Sequence, residues 1–418
     1  MKKIICLFFA LIVCVCAFAG CETTEGGKPN ENPGVDLKKY PYYVNPDEAA
    51  YKFDTEQQIT PYFKGNVIYN ETILLEDDGE SISGKLQYNP VKILSVRDYT
   101  WKTEYSADTY KVDGNTISID KANGYTSLTP ESGKIPYLTS KNLAGLELPD
   151  GYKLSSGIAN VNTDCVQMGS VVYSESSFYY GHQIQVSYVY DVKDLKTTDF
   201  ADYSTSGLEK TKAKLIAGED LKVVVTGDSV AQGCSSSGFF KHEPNFPTWA
   251  ELIKTGLESK YDSTVTVDNQ SLGGMTSDWG SADAQTAKMK KANPDLLIIH
   301  FGINDCGSNN SANAFKDNIE KIIMDVQGAN PNCEVIIIKA FTPAPSAYDL
   351  KTFEKYWAKA DALAESCDNV YTLDMYTLSK TLLETKKYAD VTGNGINHLN
   401  DFSVRLYAMN ILSALIKY

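Results

Sequence analysis

LKVVVTGDSV, residues 221–230, decides how the C-terminal half of this 418-residue chain is read. Val223, Val224 and Val225 form a short apolar run of the kind a sheet buries on both faces, and Gly227-Asp228-Ser229 follows it at once. Four similar runs lie downstream: TVTVDN (264–269), DLLIIHF (295–301), EVIIIKA (334–340) and NVYTLD (369–374). Helical spacing separates them. Over Asn313–Gln327 the residues Phe315, Ile319, Ile322, Ile323 and Val326 share one face, with Gly328 as a stop signal. Five strands alternating with helices, closed by a helix around Asp401–Lys417, predict a parallel sheet in a three-layer α/β fold. Ligands of such sheets bind beyond the C-terminal strand ends, which is where the sharpest motifs fall.

Upstream the period changes. From about Thr60 to Tyr203 the chain is rich in Tyr, Val, Ile, Ser and Thr, with frequent turn residues. QIQVSYVY alternates, placing Ile184, Val186, Tyr188 and Tyr190 on one face. YKVDGNTISI carries Asp113-Gly114 between two alternating runs, a hairpin signal. Many short strands without clear helices predict an all-β sandwich of jelly-roll type over residues 56–205, preceding the α/β domain at 206–418.

Four motifs follow strands or precede the last helix. Ser229 sits at the end of the first parallel strand, where its hydroxyl can meet a substrate. After the second comes Asn269-Gln270-Ser271-Leu272-Gly273-Gly274-Met275-Thr276-Ser277, whose glycines let backbone approach a ligand and aim an N–H at it. After the third comes Gly302-Ile303-Asn304-Asp305, where an Asn amide can face a developing oxyanion. His398 stands just before the last helix. Each alone reads equally well as a turn or a helix cap; the ordered set is specific. A G-x-S-x-G elbow, a Walker loop, a G-x-G-x-x-G fingerprint, an H-E-x-x-H pair and a C-x-x-C are all absent from the sequence.

Over residues 206–418 this set resembles the SGNH (GDSL) hydrolase family, named for a Ser, a Gly, an Asn and a His in that order. Here they correspond to Ser229, Gly274, Asn304 and His398. The resemblance implies a flavodoxin-like three-layer sheet and a serine esterase that needs neither metal nor organic cofactor. His398 would take the proton of Ser229, and the N–H groups of Ser229 and Gly274 with the Asn304 amide would form an oxyanion hole. Many members place an Asp three residues before the His; here that position is Gly395, within TGNGINHLNDF. A Ser–His dyad is one reading, and Asp401 as third member is the other. Of the remaining histidines, His300 reads as a packed core residue. His242 lies in the loop FFKHEPNFPTW with Phe239, Phe240, Phe246 and Trp249, which either lines a cleft or, for Trp249, packs inward at a helix start.

The β region's YNETILL, LQYNPVKILSV and YKVDGNTISI resemble sandwich domains that precede SGNH modules in some bacterial carbohydrate esterases. That implies an acylated polysaccharide as substrate, O-acetyl groups above all. Rival readings are a lipid, aryl-ester or thioester hydrolase of the same fold, and a non-catalytic glycan-binding lipoprotein.

At the N-terminus, Lys2 and Lys3 precede an apolar run from Ile4 to Phe18, then Ala19, Gly20 and Cys21. This is the layout of an export signal over residues 1–20, too short to span a bilayer comfortably. Phe18-Ala19-Gly20-Cys21 resembles a bacterial lipobox, with Phe18 where Leu is usual. It implies an exported protein lipid-anchored to a membrane through Cys21. The polar, Gly- and Pro-rich residues that follow predict a flexible tether over 21–55. A net charge of −14 spread along the chain argues against a nucleic-acid-binding surface. Of nine cysteines, Cys6, Cys14 and Cys16 lie in the leader. Cys333 with Cys367, and Cys234 with Cys306, could form disulfides in an exported protein or remain buried thiols, leaving Cys165 over.

Overall fold

A computed structural model describes residues 34–52, 58–127, 129–143, 177–196, 200–345 and 347–418. The export segment, Cys21 and Cys165 lie outside these described residues.

The β-rich region begins with β1 (Val67–Leu74), β2 (Glu76–Asp77), β3 (Ile82–Lys85), β4 (Pro90–Arg97) and β5 (Lys111–Asp113). It continues through β6 (Thr116–Ile119), β7 (Gly124–Tyr125), β8 (Ile135–Pro136), β9 (Leu138–Thr139) and β10 (Gln183–Tyr190). Among the described residues β1, β10 and β4 form an antiparallel sheet, and a five-stranded sheet runs β5-β6-β3-β2-β9. The Asp113-Gly114 signal becomes the β5–β6 hairpin, closed at Asp113↔Thr116 with Gly114 at φ +55°. Strand β10 is buried at every position. Its apolar face, Ile184, Val186 and Tyr188, enters the main core as the alternation predicts. Its other face is buried too: Gln183 bonds to Ala389 and Thr392, Ser187 to Asn70, and Val189 packs with Ala49 and Val67.

The α/β region holds β11 (Leu221–Gly227), β12 (Val265–Asn269), β13 (Leu296–His300), β14 (Glu334–Lys339) and β15 (Val370–Asp374). All four pairings are parallel and the order is β12-β11-β13-β14-β15, the flavodoxin-like arrangement. The β13 residues are buried throughout, which explains why these strands read as continuous apolar runs rather than alternations. The helix predicted over Asn313–Gln327 spans Ala312–Ala329 behind a Ser311 cap, and Gly328 lies inside it. The last helix, Asp401–Leu415, is buried along its whole length. A buried surface helix would need only one apolar stripe; this one is covered on all sides.

It packs on the helix Trp249–Lys260 and also meets strand β1 of the β region. The boundary expected near residue 205 is a change of architecture inside one compact unit, Asp36–Tyr418. At an irregularity in the β1–β10 register, between Ile68 and Glu71, Asn70 adopts φ +48°. The carbonyls of Tyr69 and Asn70 then accept from the Arg405 guanidinium, both at 2.6 Å. Arg405 is fully buried on the last helix and also donates to Gln58 at 2.9 Å. Part of the span predicted as a tether packs on the body. Val44 exchanges two 2.8 Å hydrogen bonds with the Asn66 side chain, and Ala49 packs with Val67 and Val189. An Asn that satisfies both backbone groups of one residue pins that segment to the body.

Candidate active site

Ser229 opens a short helix, Ser229–Gln232, directly after β11. Asp228 caps it, accepting from the N–H of Val230 at 3.0 Å and of Ala231 at 3.4 Å. Trp249 is fully buried and its indole N–H donates to Val230 O at 2.9 Å, so it braces this turn rather than lining a cleft. The turn is tight enough to demand glycine at 227: a β-carbon there would lie 2.3 Å from His300 O and 2.5 Å from Ala231 Cβ. His300 is wholly buried, its Nε2 3.2 Å from the Tyr407 hydroxyl and its Nδ1 3.2 Å from Asp228. It is a core residue, as expected.

The fold brings Ser229 and His398 together across 169 residues, with His398 Nε2 2.7 Å from Ser229 Oγ. The loop bearing His398 is built by Asn394. Its side-chain oxygen accepts from the N–H groups of Ile396, Asn397 and His398 at 2.9–3.0 Å. Gly393 N–H donates to His398 O at 2.9 Å, and Thr392 bridges to Leu399. Gly395 has φ +77°. The position that carries Asp in many relatives is here a left-handed turn residue, so the departure from the family pattern is one of backbone as well as charge.

The other two expected residues lie in the loops after β12 and β13, and a β-carbon on Gly273, beside Gly274, would lie 3.6 Å from Ser229 Cβ. Gly274 has φ +80°, and neither its N–H nor that of Ser229 donates to an acceptor among the described residues. The neighbouring Gly273 N–H is taken up by Gln232 Oε1 at 3.0 Å. Asn304 donates one amide hydrogen to Met275 O at 3.0 Å, which leaves the second for a ligand. Asp305 ties these two loops together. Its carboxylate accepts from Ser277 N–H at 3.0 and 3.1 Å, Ser277 Oγ at 2.5 Å, Asn310 at 3.0 Å and Gly302 N–H at 3.2 Å. Burial raises the Asp305 carboxyl above its ordinary value while the Ser277 and Asn310 bonds pull it back. Sequence reading gave Asp305 and Gln232 no role; only the pairing of loops after different strands reveals one.

Three expectations need correction. Asp401 is not placed as a partner for the imidazole: its two oxygens accept from Ser237 N–H at 2.8 Å and Ser237 Oγ at 2.6 Å. Burial raises its carboxyl, the Ser237 bonds opposing. Its task is to fasten the loop after Ser229 to the last helix. Cys333 and Cys367 are both free thiols; Cys333 is fully buried with Sγ toward Glu334 O. The Cys234–Cys306 bridge is also absent, since Cys306 is a thiol directed at Asp349 O. In the aromatic loop, Phe246 is buried against Trp101 and His242 stacks on Tyr180, with ring centroids 4.0 Å apart. No group of His, Cys, Asp and Glu suited to a metal ion occurs among the described residues.

Residues 225–402 match the family model of GDSL-like lipases and acylhydrolases, a span that contains all four motif residues. No match was found among curated proteins. Solved structures with similarity include a two-domain esterase active on acetylated mannans, co-crystallised with mannopentaose. It is 21% identical over 51% of this chain and 55% of that one, with a TM-score of 0.41. This chain thus spans about half that esterase's length. An acetyl xylan esterase is 21% identical over 47% of this chain and 100% of its own, with a TM-score of 0.38. A lipase/acylhydrolase from Enterococcus faecalis is 20% identical over 46% and 93%, with a TM-score of 0.37. The sequence match and the order of the four motifs along one parallel sheet agree: this chain carries a GDSL-like lipase/acylhydrolase domain of the SGNH ester-hydrolase type.

Proposed function

We propose that the protein is a serine esterase that removes short acyl groups, O-acetyl groups on a polysaccharide foremost. The observation that carries the reading is the 2.7 Å contact of His398 Nε2 with Ser229 Oγ beside two unengaged backbone N–H groups. Ser229 Oγ attacks the ester carbonyl carbon while His398 Nε2 takes its proton. The carbonyl oxygen becomes an oxyanion held by Ser229 N–H, Gly274 N–H and the second amide hydrogen of Asn304. The C–O bond to the alcohol then breaks, His398 protonates the leaving oxygen, and the acyl group stays on Ser229. Water, deprotonated by His398, attacks this acyl-enzyme, the bond from the acyl carbon to Ser229 Oγ breaks, His398 returns the proton to Oγ, and the acid leaves.

Two features support a glycan substrate. Ser229 is only 7% exposed, which suits a small acyl group. A groove of about 570 Å³ lies between the β region and the loop after the nucleophile, lined by Tyr51, Arg97, Trp101 and Lys102 on one side and Glu243 and Asn245 on the other. A cleft rimmed by charged and amide side chains suits the hydroxyls of a sugar chain. The Lys102–Glu243 ion pair crosses it. Lipid anchoring at Cys21 would place the enzyme outside the cytoplasm, where such polymers are met; Cys21→Ser should abolish incorporation of labelled fatty acid.

The deciding measurement is acetate released from acetylated xylan, glucomannan and peptidoglycan, with Ser229→Ala as blank. Release that depends on Ser229 is expected from at least one. No release, with rates on aryl esters rising from acetate to octanoate, would move the assignment to a lipid esterase.

A further inference from the structure

The loop that carries His398 has a neck, and the β-rich region holds both sides of it. On one side Gln183, on β10, donates its two amide hydrogens to Ala389 O at 2.7 Å and Thr392 O at 2.8 Å. On the other, the Asn400 amide lies 3.2 Å from Gln183 Oε1, 2.9 Å from Thr72 Oγ1 and 2.7 Å from Asp390 O. Thr72, on β1, donates in turn to Asp390 O, and Leu74 N–H donates to the Asp390 carboxylate at 2.8 Å. Thr72 is fully buried and Gln183 and Asn400 nearly so, so water cannot replace these bonds. Thr392 and Asn400 bracket the turn from Gly393 to Leu399, whose own bonds are set by Asn394.

From this geometry we infer that Gln183 and Thr72 are positioning residues for His398, and that the β-rich region completes the active site rather than merely adjoining it. Neither side chain touches substrate. Each fixes the height of the loop from which the imidazole reaches Ser229. The inference rests on the reading of Ser229 and His398 as nucleophile and base. A proton transfer over 2.7 Å tolerates little displacement, since a misplacement near 1 Å can cost about 10²-fold in rate. Gln183, Thr72 and Asn400 are not among the residues that line the groove, so the loss should fall on kcat.

The test uses the whole ectodomain and four variants: Gln183→Ala, Thr72→Val, His398→Ala and Ser187→Ala. Thr72→Val keeps volume and shape, and guards against a failure of Gln183→Ala to fold. Ser187 is the control: it sits on the same strand and is equally buried, but bonds to Asn70 instead of the neck. Two readouts are taken well below the unfolding transition: kcat and KM on an aryl acetate, and the rate at which a fluorophosphonate labels Ser229. Folded Gln183→Ala and Thr72→Val should lose about 10- to 100-fold in kcat and in labelling rate, with KM within about twofold, while Ser187→Ala keeps parent values. Parent-like kcat in both folded variants, with His398→Ala inactive, would overturn the inference and leave the mechanism standing. An equal fall in Ser187→Ala would also overturn it. Parent activity in His398→Ala would sink the mechanism itself and the inference with it.

Discussion

Lys386 and Glu71 form an ion pair between the segment leading into the His398 region and strand β1, with N–O 2.7 Å and both side chains fully buried. Replacing Lys386 with Met removes one charge and leaves the other in the core. Breaking such a pair typically costs about 3–5 kcal/mol, because the surviving ion is desolvated without compensation. Here Glu71 would still accept from Gln87 N–H at 2.9 Å and Tyr188 OH at 2.6 Å, which places Lys386→Met near the lower end, about 3 kcal/mol. Glu71→Gln leaves the buried Lys386 ammonium without a counter-ion, with only neutral acceptors, Lys85 O at 2.7 Å and the new amide oxygen, and belongs near the upper end, about 5 kcal/mol. The double variant removes both ions and should cost less than the sum, giving a coupling of at least about 1 kcal/mol. Urea unfolding followed by tryptophan fluorescence and circular dichroism measures all four. Trp101 reports on the β region and Trp249, Trp279 and Trp357 on the α/β region, so one shared transition is expected for parent and variants. Lys386→Met within about 1 kcal/mol of the parent, or strict additivity in the cycle, would refute the reasoning.

Ser229→Ala should abolish ester hydrolysis with an unchanged unfolding midpoint; turnover within about tenfold of the parent would exclude Ser229 as nucleophile. Asn304→Ala should lower kcat by about 10²–10³ in steady-state assays, the loss typical of one oxyanion donor. Asp401→Asn should reduce the rate by less than about tenfold, since its carboxylate serves Ser237; a loss near 10⁴ would make it a triad member after all. Its effect belongs in stability against pH. The folded Asp401 carboxyl is raised above the ordinary 3.8, so the folded chain holds that proton more tightly than the unfolded one. Stability from this group is full below 3.8 and lost as pH rises through the folded value, and Asp401→Asn should flatten that part of the curve in denaturant titrations. Among aryl esters, acetate should be turned over faster than butyrate, each misfit methylene costing ~1–3 kcal/mol; a steady rise toward octanoate would contradict a small acyl pocket.

Much of the α/β half was legible because its signals are local. A strand buried on both faces reads as an apolar run, a strand end followed by Gly-Asp-Ser reads as a cap and turn, and four motifs in order singled out Ser229, Gly274, Asn304 and His398 as candidates. The sequence also located the hairpin at Asp113-Gly114 and the amphipathic helix at 312–329 within a few residues. Where it erred, the deciding contact was remote. Asp401 was one of two readings, the alternative to a Ser–His dyad, and its carboxylate points at Ser237, 164 residues away. For the cysteines, nearness to strand starts (Cys333, Cys367) or to the motifs (Cys234, Cys306) left disulfide and free thiol both open, because it says nothing of the directions the side chains take.

By itself, then, the sequence determined the sheet, the strand ends and which residues stand there, since hydrophobic period and turn chemistry act over a few residues. Only the tertiary structure decided how that chemistry is held in place. The polar side of QIQVSYVY looks like a solvent face in isolation, but Gln183 and Gln185 are buried, and Thr72 and Glu71 on β1 with them. Their partners, Ala389, Asp390, Thr392, Lys386 and Asn400, lie more than 200 residues away. A buried polar group must find a hydrogen-bond partner, but nothing in its neighbours along the chain says which one; that choice is made by the packing of two regions against each other.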